Sequence, residues 1–319
     1  MIRSVHLLST QRNPLHRSLL TTFSLGTSSN NVIMPKREPL LKTNNTFHET
    51  KRDQPWYKAN IIHVSKETPT ITNVLLKIIP NKENPNFLFS FVPGQWIDLV
   101  IHIGGKKYVG GYSPYSSPSS LPLLQLGIRF NSKHPVSNYF HHLQLPFNTS
   151  QNPQVDIRGG SGTCVYTPKK NDNVTFVAGG IGITPIFSMI QSALEYGASG
   201  EDSQNTIPFQ LRLFYSVRNL DELAFYELLI DLKKKYSNHF QLFVSSTCRD
   251  NDCENDRKDI KQSFIRYGRW NVQDFLPVST HDNHLFYLCG PPSMVDKFRY
   301  ELISKENFSN DQIRYEKWW

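Results

Sequence analysis

Apolar residues along this chain follow two different rhythms. From Trp56 to about Tyr166 they gather in short runs of strand character: Tyr57 to Val64, Ile71 to Ile79, Trp96 to Ile103, Leu123 to Phe130 and Val155 to Arg158. Turn formers bound these runs at Pro93-Gly94-Gln95, Gly104-Gly105-Lys106 and Gly159-Gly160-Ser161-Gly162. Short strands at this spacing predict a small antiparallel barrel, interrupted by one helix start at His134 to Phe140. From Asn173 onward, strand runs alternate with helical periodicity. Asn173 to Phe176 precedes Ile186, Met189, Ile190, Ala193 and Leu194, and Gln210 to Ser216 precedes Leu223, Phe225, Tyr226, Leu229, Ile230 and Leu232. Phe240 to Ser246 is a third strand, and His284 to Leu288 precedes Met294, Val295, Phe298 and Leu302. Alternation of this kind predicts a parallel sheet flanked by helices. The expected architecture is therefore a Greek-key β-barrel over 55–170 followed by a five-stranded, Rossmann-like α/β domain over 171–319.

Two bends in the second half carry the candidate chemistry. Gly179-Gly180-Ile181-Gly182-Ile183-Thr184-Pro185 joins a strand to a helix. Its glycines permit a sharp turn and the close approach of a ligand. Thr184 is expected to cap the helix, and Pro185 suits its first turn. Free amides at the positive end of the helix dipole form a site for a diphosphate. The second bend is Cys289-Gly290-Pro291-Pro292-Ser293-Met294. Both are expected to leave the carboxyl edge of one sheet, where open α/β sheets bind ligands.

Charge and cysteine content narrow the picture. Lys and Arg outnumber Asp and Glu by 35 to 27, a net charge of +8. Apart from Lys233-Lys234-Lys235 the basic residues are scattered, so a presequence and an electronegative ligand account for the excess and no nucleic acid is expected. Met1 to Met34 holds Arg3, Arg12 and Arg17, many hydroxyl residues and no acid, the composition of a mitochondrial transit peptide. A polar linker follows over 35–54. No run approaches the roughly 20 apolar residues of a membrane span. Cys164, Cys248, Cys253 and Cys289 lack the spacing of a zinc or iron-sulfur site, so no metal is implied.

The two bends together resemble the GGxGxTP and CGxxxM turns of the ferredoxin-NADP reductase superfamily, and the resemblance covers the chain from about Trp56 to its end. Phe91-Val92-Pro93-Gly94-Gln95-Trp96 resembles that family's turn into the flavin strand, and Gly111-Tyr112-Ser113-Pro114-Tyr115-Ser116 resembles its R-x-Y-S-x-x-S motif. The chain is also similar to the oxidoreductase NAD-binding domain-containing group, which shows Gly-Gly-aromatic-Ser at that place. The resemblance implies that FAD sits in the barrel and NAD in the second domain, with NADP as the alternative if Arg218 receives a 2′-phosphate. It implies that Gly179, Gly180, Ile181, Gly182, Ile183, Thr184, Cys289, Gly290, Pro291 and Met294 hold the nicotinamide dinucleotide. Ser216 and Arg218 would face its adenosine ribose, and Tyr112, Ser113, Ser116, Ser137, Asn138 and Trp318 would meet the flavin. Ser113, Cys289 and Glu316 are the implied catalytic group. The family arginine for the flavin diphosphate falls at Gly110 and is missing, with Arg129, Lys133, Ser137 and Asn138 as substitutes. The implied activity is hydride transfer from NAD(P)H to flavin and onward to an unidentified acceptor. The alternative is a dinucleotide-binding subunit or sensor that has lost its flavin.

Overall fold

A computed structural model describes residues 55–80, 88–143, 153–198, 209–248, 265–276 and 284–318, all within one compact unit, Phe47–Trp319. The expected transit peptide, the linker, most of the polar loops 197–205 and 248–261, and Trp319 lie outside these residues.

The first half is an antiparallel sheet of six strands in the order β4-β3-β6-β1-β2-β5. They are β1 (Tyr57–Lys66), β2 (Ile71–Ile78), β3 (Trp96–Ile103), β4 (Lys106–Tyr112), β5 (Leu123–Arg129) and β6 (Gln154–Ser161). Its two edges are drawn together by a bridge between Pro114 and Leu126. Alternating side chains such as Ala59, Ile61, Val74, Leu76, Ile97, Leu99, Leu124 and Leu126 fill the interior, and helix α1 (Pro135–His142) adds Val136 and Phe140. Strand β4 is an addition to the five predicted. Its sequence KKYVGGY has no alternation to read, and it forms because β3 supplies a complete antiparallel register from Ile97↔Tyr112 to Ile103↔Lys106.

The second half is a parallel sheet in the order β10-β9-β8-β7-β11-β12. Its strands are β7 (Asn173–Gly179), β8 (Gln210–Val217), β9 (Phe240–Ser246), β10 (Ile265–Tyr267), β11 (His284–Gly290) and β12 (Ile313–Lys317). The expectation of five strands is corrected to six: β10 is only three residues long and too short to carry a periodic signal. Helices α2 (Ile183–Ala198), α3 (Tyr226–Lys235) and α4 (Pro292–Ser304) cover the sheet. One core lies on the α2 and α3 side and another on the α4 side. Cys248 is disulfide-bonded, whereas Cys164 and Cys289 are free and buried. No helix among the described residues is long and apolar enough to cross a membrane.

The two halves pack directly on each other. Tyr115 packs against Phe225 with ring centroids 4.2 Å apart. The Ser188 hydroxyl on α2 donates to the Ser116 carbonyl at 2.8 Å, and Tyr287 on β11 donates to the Val165 carbonyl at 3.1 Å. The turn between β1 and β2 grips the approach to α3: Thr68 and Thr70 donate to Glu222 at 3.1 and 2.5 Å, and Glu67 accepts the Phe225 amide at 2.7 Å.

Candidate functional site

The site begins with two backbone bends that touch. Strand β7 ends at Gly179, a single 3-10 turn runs over Gly180–Gly182, and α2 starts at Ile183. Gly180 has φ +54, a left-handed conformation that glycine adopts without cost. A Cβ on Gly182 would stand 2.3 Å from the Cys289 carbonyl oxygen and 2.8 Å from the Gly290 nitrogen. A Cβ on Gly290 would meet Met294 Cε at 2.8 Å and Gly179 Cα at 3.0 Å. The absence of side chains therefore lets the ends of β7 and β11, which are paired in the sheet, close into one surface.

That surface opens into a cavity of about 360 Å³. Among the residues expected to hold the dinucleotide, Gly179, Gly180, Ile181, Ser216, Arg218, Pro291 and Met294 line it. Gly182, Ile183, Cys289 and Gly290 are the packed layer behind them. Thr184 does not cap the helix: its hydroxyl donates back to the Ile181 carbonyl at 3.0 Å, because the 3-10 turn runs into α2 without a break and leaves no cap position there. Arg129, expected as a substitute at the flavin diphosphate, stands beside the first glycine bend. It lines this cavity, and its Nη1 lies 3.7 Å from the position of a Cβ on Gly180. The cavity wall also includes Arg269, Trp270 and Lys297, of which nothing in the chain pattern gave notice beyond the position of Arg269 after Gly268.

A second group gathers where β12 meets the barrel. Cys289 and Glu316 are register partners on β11 and β12, and the Trp318 amide donates to the Gly290 carbonyl at 3.0 Å, folding the chain end over the second bend. A Cβ on Gly162 would lie 3.2 Å from the Trp96 indole and 4.0 Å from Glu316 Oε1, and one on Gly111 would lie 3.3 Å from the same indole. Trp96 therefore packs over both Gly111 on strand β4 and Gly162, a place its position after a Pro-Gly-Gln turn did not reveal. Burial raises the Glu316 carboxyl to about 7. Burial first, then the neighbouring Glu316 carboxylate, hold the Cys289 thiol well above its ordinary range. It is thus a neutral thiol that packs rather than attacks.

Ser113 Oγ and Glu316 Oε2 are buried without a hydrogen-bond partner among the described residues. Each such atom costs about 1–3 kcal/mol unless a ligand satisfies it. The Trp318 indole N–H also lacks a full hydrogen bond, with the Cys289 sulfur beside it. Ser113, Glu316 and Trp318 are all among the residues expected at the ring of a flavin.

The phosphate end is built differently. The space that a side chain at Gly110 would enter is taken by the Tyr112 ring, 2.7 Å from the Cβ position, and by His134 at 2.9 Å. Tyr112 packs edge-on against His134, its hydroxyl 3.4 Å from Nδ1. The hydroxyls of two residues expected at the flavin make hydrogen bonds within the protein. The Ser137 hydroxyl accepts the Asn131 amide at 3.2 Å and donates to the Asn131 carbonyl at 3.0 Å. Ser116 is buried and accepts the Gln125 amide at 3.1 Å, which makes it a barrel strut. Lys133 and Asn138, expected as substitutes for the missing arginine, line a cavity of about 480 Å³ at the start of α1.

With this geometry in view, the comparisons are specific. Residues 176–299 match the family described as oxidoreductase NAD-binding domain, a segment running from β7 through most of α4. The oxidoreductase NAD-binding domain-containing protein 1 of Danio rerio is 29% identical over 274 residues, covering 84% of this chain and 94% of that protein. Its Xenopus laevis counterpart is 29% identical over 293 residues, covering 88% and 83%. The flavohem-like FAD/NAD binding domain of nitric oxide dioxygenase from Vibrio cholerae O1 biovar El Tor superposes with a TM-score of 0.63 at 16% identity, covering 82% of this chain and 98% of that one. A barrel joined to a parallel sheet, with two glycine bends meeting at the sheet's carboxyl edge, is thus the fold of that FAD/NAD binding domain, and the second half of the chain is similar in sequence to the oxidoreductase NAD-binding domain family.

Proposed function

We propose that this chain is an NAD(P)H-dependent flavin oxidoreductase that passes electrons to a partner protein or a small oxidant. The observation that carries the reading is the contact of the two glycine bends at the edge where β11 pairs with Glu316 on β12, together with the buried polar atoms of Glu316 and Ser113 that have no hydrogen-bond partner among the described residues. When bound, the nicotinamide and flavin supply the hydride and electron chemistry. The chain's own residues bind and orient. Amides of the Gly179–Ile181 turn, with Arg129, receive the dinucleotide diphosphate, and Pro291 and Met294 form the adjoining wall. Ser113 presents its hydroxyl to the polar edge of the flavin. Trp96 and Trp318 keep water from the ring, and Glu316, with its carboxyl near 7, holds or releases a proton there. Lys133 and Asn138 take the place of the missing arginine at the flavin phosphates. The composition of the first 34 residues supports a mitochondrial address.

A second reading, a dinucleotide sensor without flavin, is favoured by Tyr112 and His134 filling the space beside Gly110. The visible spectrum of the purified chain separates the two. Bands at about 370 and about 450 nm that bleach on NADH or NADPH addition support the oxidoreductase. A colourless protein that binds the dinucleotide and takes up no added FAD supports the sensor.

Restoring the family's charge does not restore its contact. Gly110→Arg drives a Cβ into the Tyr112 ring and His134, so it is expected to lower stability by about 1–3 kcal/mol and to leave FAD affinity no higher. A rise in FAD affinity at unchanged melting temperature would show that Tyr112 yields the space freely.

A further inference from the structure

Part of the wall of the dinucleotide cavity is governed from the other half of the chain. Ile71, the first residue of β2, lines the cavity, and so does Glu222, the acid on its wall. Glu222 closes the 3-10 turn Leu220–Glu222 that leads from β8 toward α3. Its Oε2 accepts from Thr68 at 3.1 Å and from Thr70 at 2.5 Å, both on the turn between β1 and β2. A bare carboxylate beside an anionic diphosphate would repel it. Two hydroxyl donors fix this one in place and spread its charge.

Phe225, just before α3, is seated by the same turn. Its φ of 58 and ψ of 22 are left-handed, a conformation that a bulky side chain opposes, so contacts from outside its own segment must hold it there. Its amide donates to Glu67 Oε1 at 2.7 Å. Its ring is buried against Tyr115 of the barrel, at 4.2 Å between centroids, and Phe187 of α2, at 5.9 Å. Strand β5 leaves room for the tip of that ring by carrying a glycine. A Cβ on Gly127 would stand 3.0 Å from Phe225 Cζ and 2.9 Å from Thr184 Cγ2. The barrel therefore receives, at one place, the approach to α3 and the threonine of the first glycine bend.

We infer that Glu67 and Thr70, on the barrel turn between β1 and β2, are positioning residues for dinucleotide binding in the other half, acting through Phe225 and Glu222. The inference rests on the dinucleotide reading given above. Without Thr70 the Glu222 carboxylate is less restrained and turns its charge toward the ligand. Without Glu67 the Phe225 amide loses its acceptor, and the left-handed residue relaxes toward ordinary helical angles, shifting the turn that carries Glu222. The coupling is reciprocal: a ligand that needs the gripped arrangement strengthens the grip by the same free energy.

Calorimetric titration of the whole chain with NADH tests the assignment without any turnover. Thr70→Val, which keeps the side chain's shape, and Glu67→Ala are each expected to raise the dissociation constant about three- to tenfold. Thr70→Ser keeps the donor and Glu67→Gln keeps an acceptor, so each is expected to bind within about twofold of the unmodified chain. Melting temperatures of the same samples separate positioning from support of the fold. Thr70→Val and Glu67→Ala proteins that melt lower yet bind NADH as before would overturn the inference. Hydrogen exchange gives a second reading: NADH is expected to slow exchange of the Phe225 amide, and exchange unchanged at saturating NADH would overturn the inference while the dinucleotide site stands. If the unmodified chain binds neither NADH nor NADPH, the dinucleotide reading falls and takes the inference with it.

Discussion

Gly182→Ala is expected to abolish dinucleotide binding and to lower the stability of the chain by about 3 kcal/mol or more. The added methyl would stand 2.3 Å from the Cys289 carbonyl oxygen, 2.5 Å from its carbonyl carbon and 2.8 Å from the Gly290 nitrogen. All three atoms are backbone, and all belong to the end of β11, which pairs with β7 on one side and β12 on the other. No rotamer change relieves such a contact, so the two bends must separate. Separation moves the amides of Gly180 and Ile181 away from Pro291 and Met294, which opens the wall of the cavity. Gly104→Ala is the control. A Cβ there meets nothing within 4 Å, and only the left-handed φ of +55 opposes it, at a cost of about 1–2 kcal/mol. Thermal unfolding and NADH titration of both variants decide the matter. A Gly182→Ala protein with unchanged melting temperature and NADH affinity would refute the claim that this contact builds the site.

The second large effect is a pH dependence carried by Glu316. Burial raises its carboxyl from 4.5 to about 7, so over that interval the folded chain holds a proton that the unfolded chain has lost. The contribution of Glu316 to stability is therefore greatest below 4.5, falls as pH rises through the interval, and levels off above 7, with a total loss of up to about 3 kcal/mol. Asp172, whose carboxyl burial also raises, contributes in the same direction. The comparison of wild type with Glu316→Gln isolates the residue. The variant is expected to lose less stability than the wild type between pH 5 and pH 8, measured by denaturant unfolding at each pH. Parallel curves for the two proteins would mean that Glu316 ionises in the fold as it does in water. A flavin bound beside Glu316 would shift the same midpoint, so the measurement also reports on occupancy of the ring site.

Much of this organisation could be read along the chain, and the exceptions share a cause. Local pattern is sufficient where one face of an element is buried and the other wet. Strands β1, β2, β3, β5 and β6, the sheet strands β7, β8, β9 and β11, and the inward faces of α2, α3 and α4 were legible for that reason. Strand β4 was not, because Lys106-Lys107-Tyr108-Val109-Gly110-Gly111 has neither alternation nor an apolar run, and its partner β3 determines it. Helix α2 shows the boundary within one element. Its Ile186, Met189, Ile190, Ala193 and Leu194 are buried at helical spacing, whereas Phe187 and Ser188 are equally buried because the barrel covers a second side, with Phe187 against Tyr115 and Ser188 bonded to Ser116.

By itself the sequence determined the order of barrel and parallel sheet and the two glycine bends, since dihedral freedom, periodicity and turn chemistry are properties of neighbours along the chain. Only the tertiary structure decided that Arg129 reaches across from β5 to the turn after β7, that Arg269 and Lys297 join Arg218 on one wall, and that Tyr112 and His134 occupy the place beside Gly110. Those contacts join residues far apart in the chain. Their energies depend on distance in space and on shared burial, which no local pattern encodes.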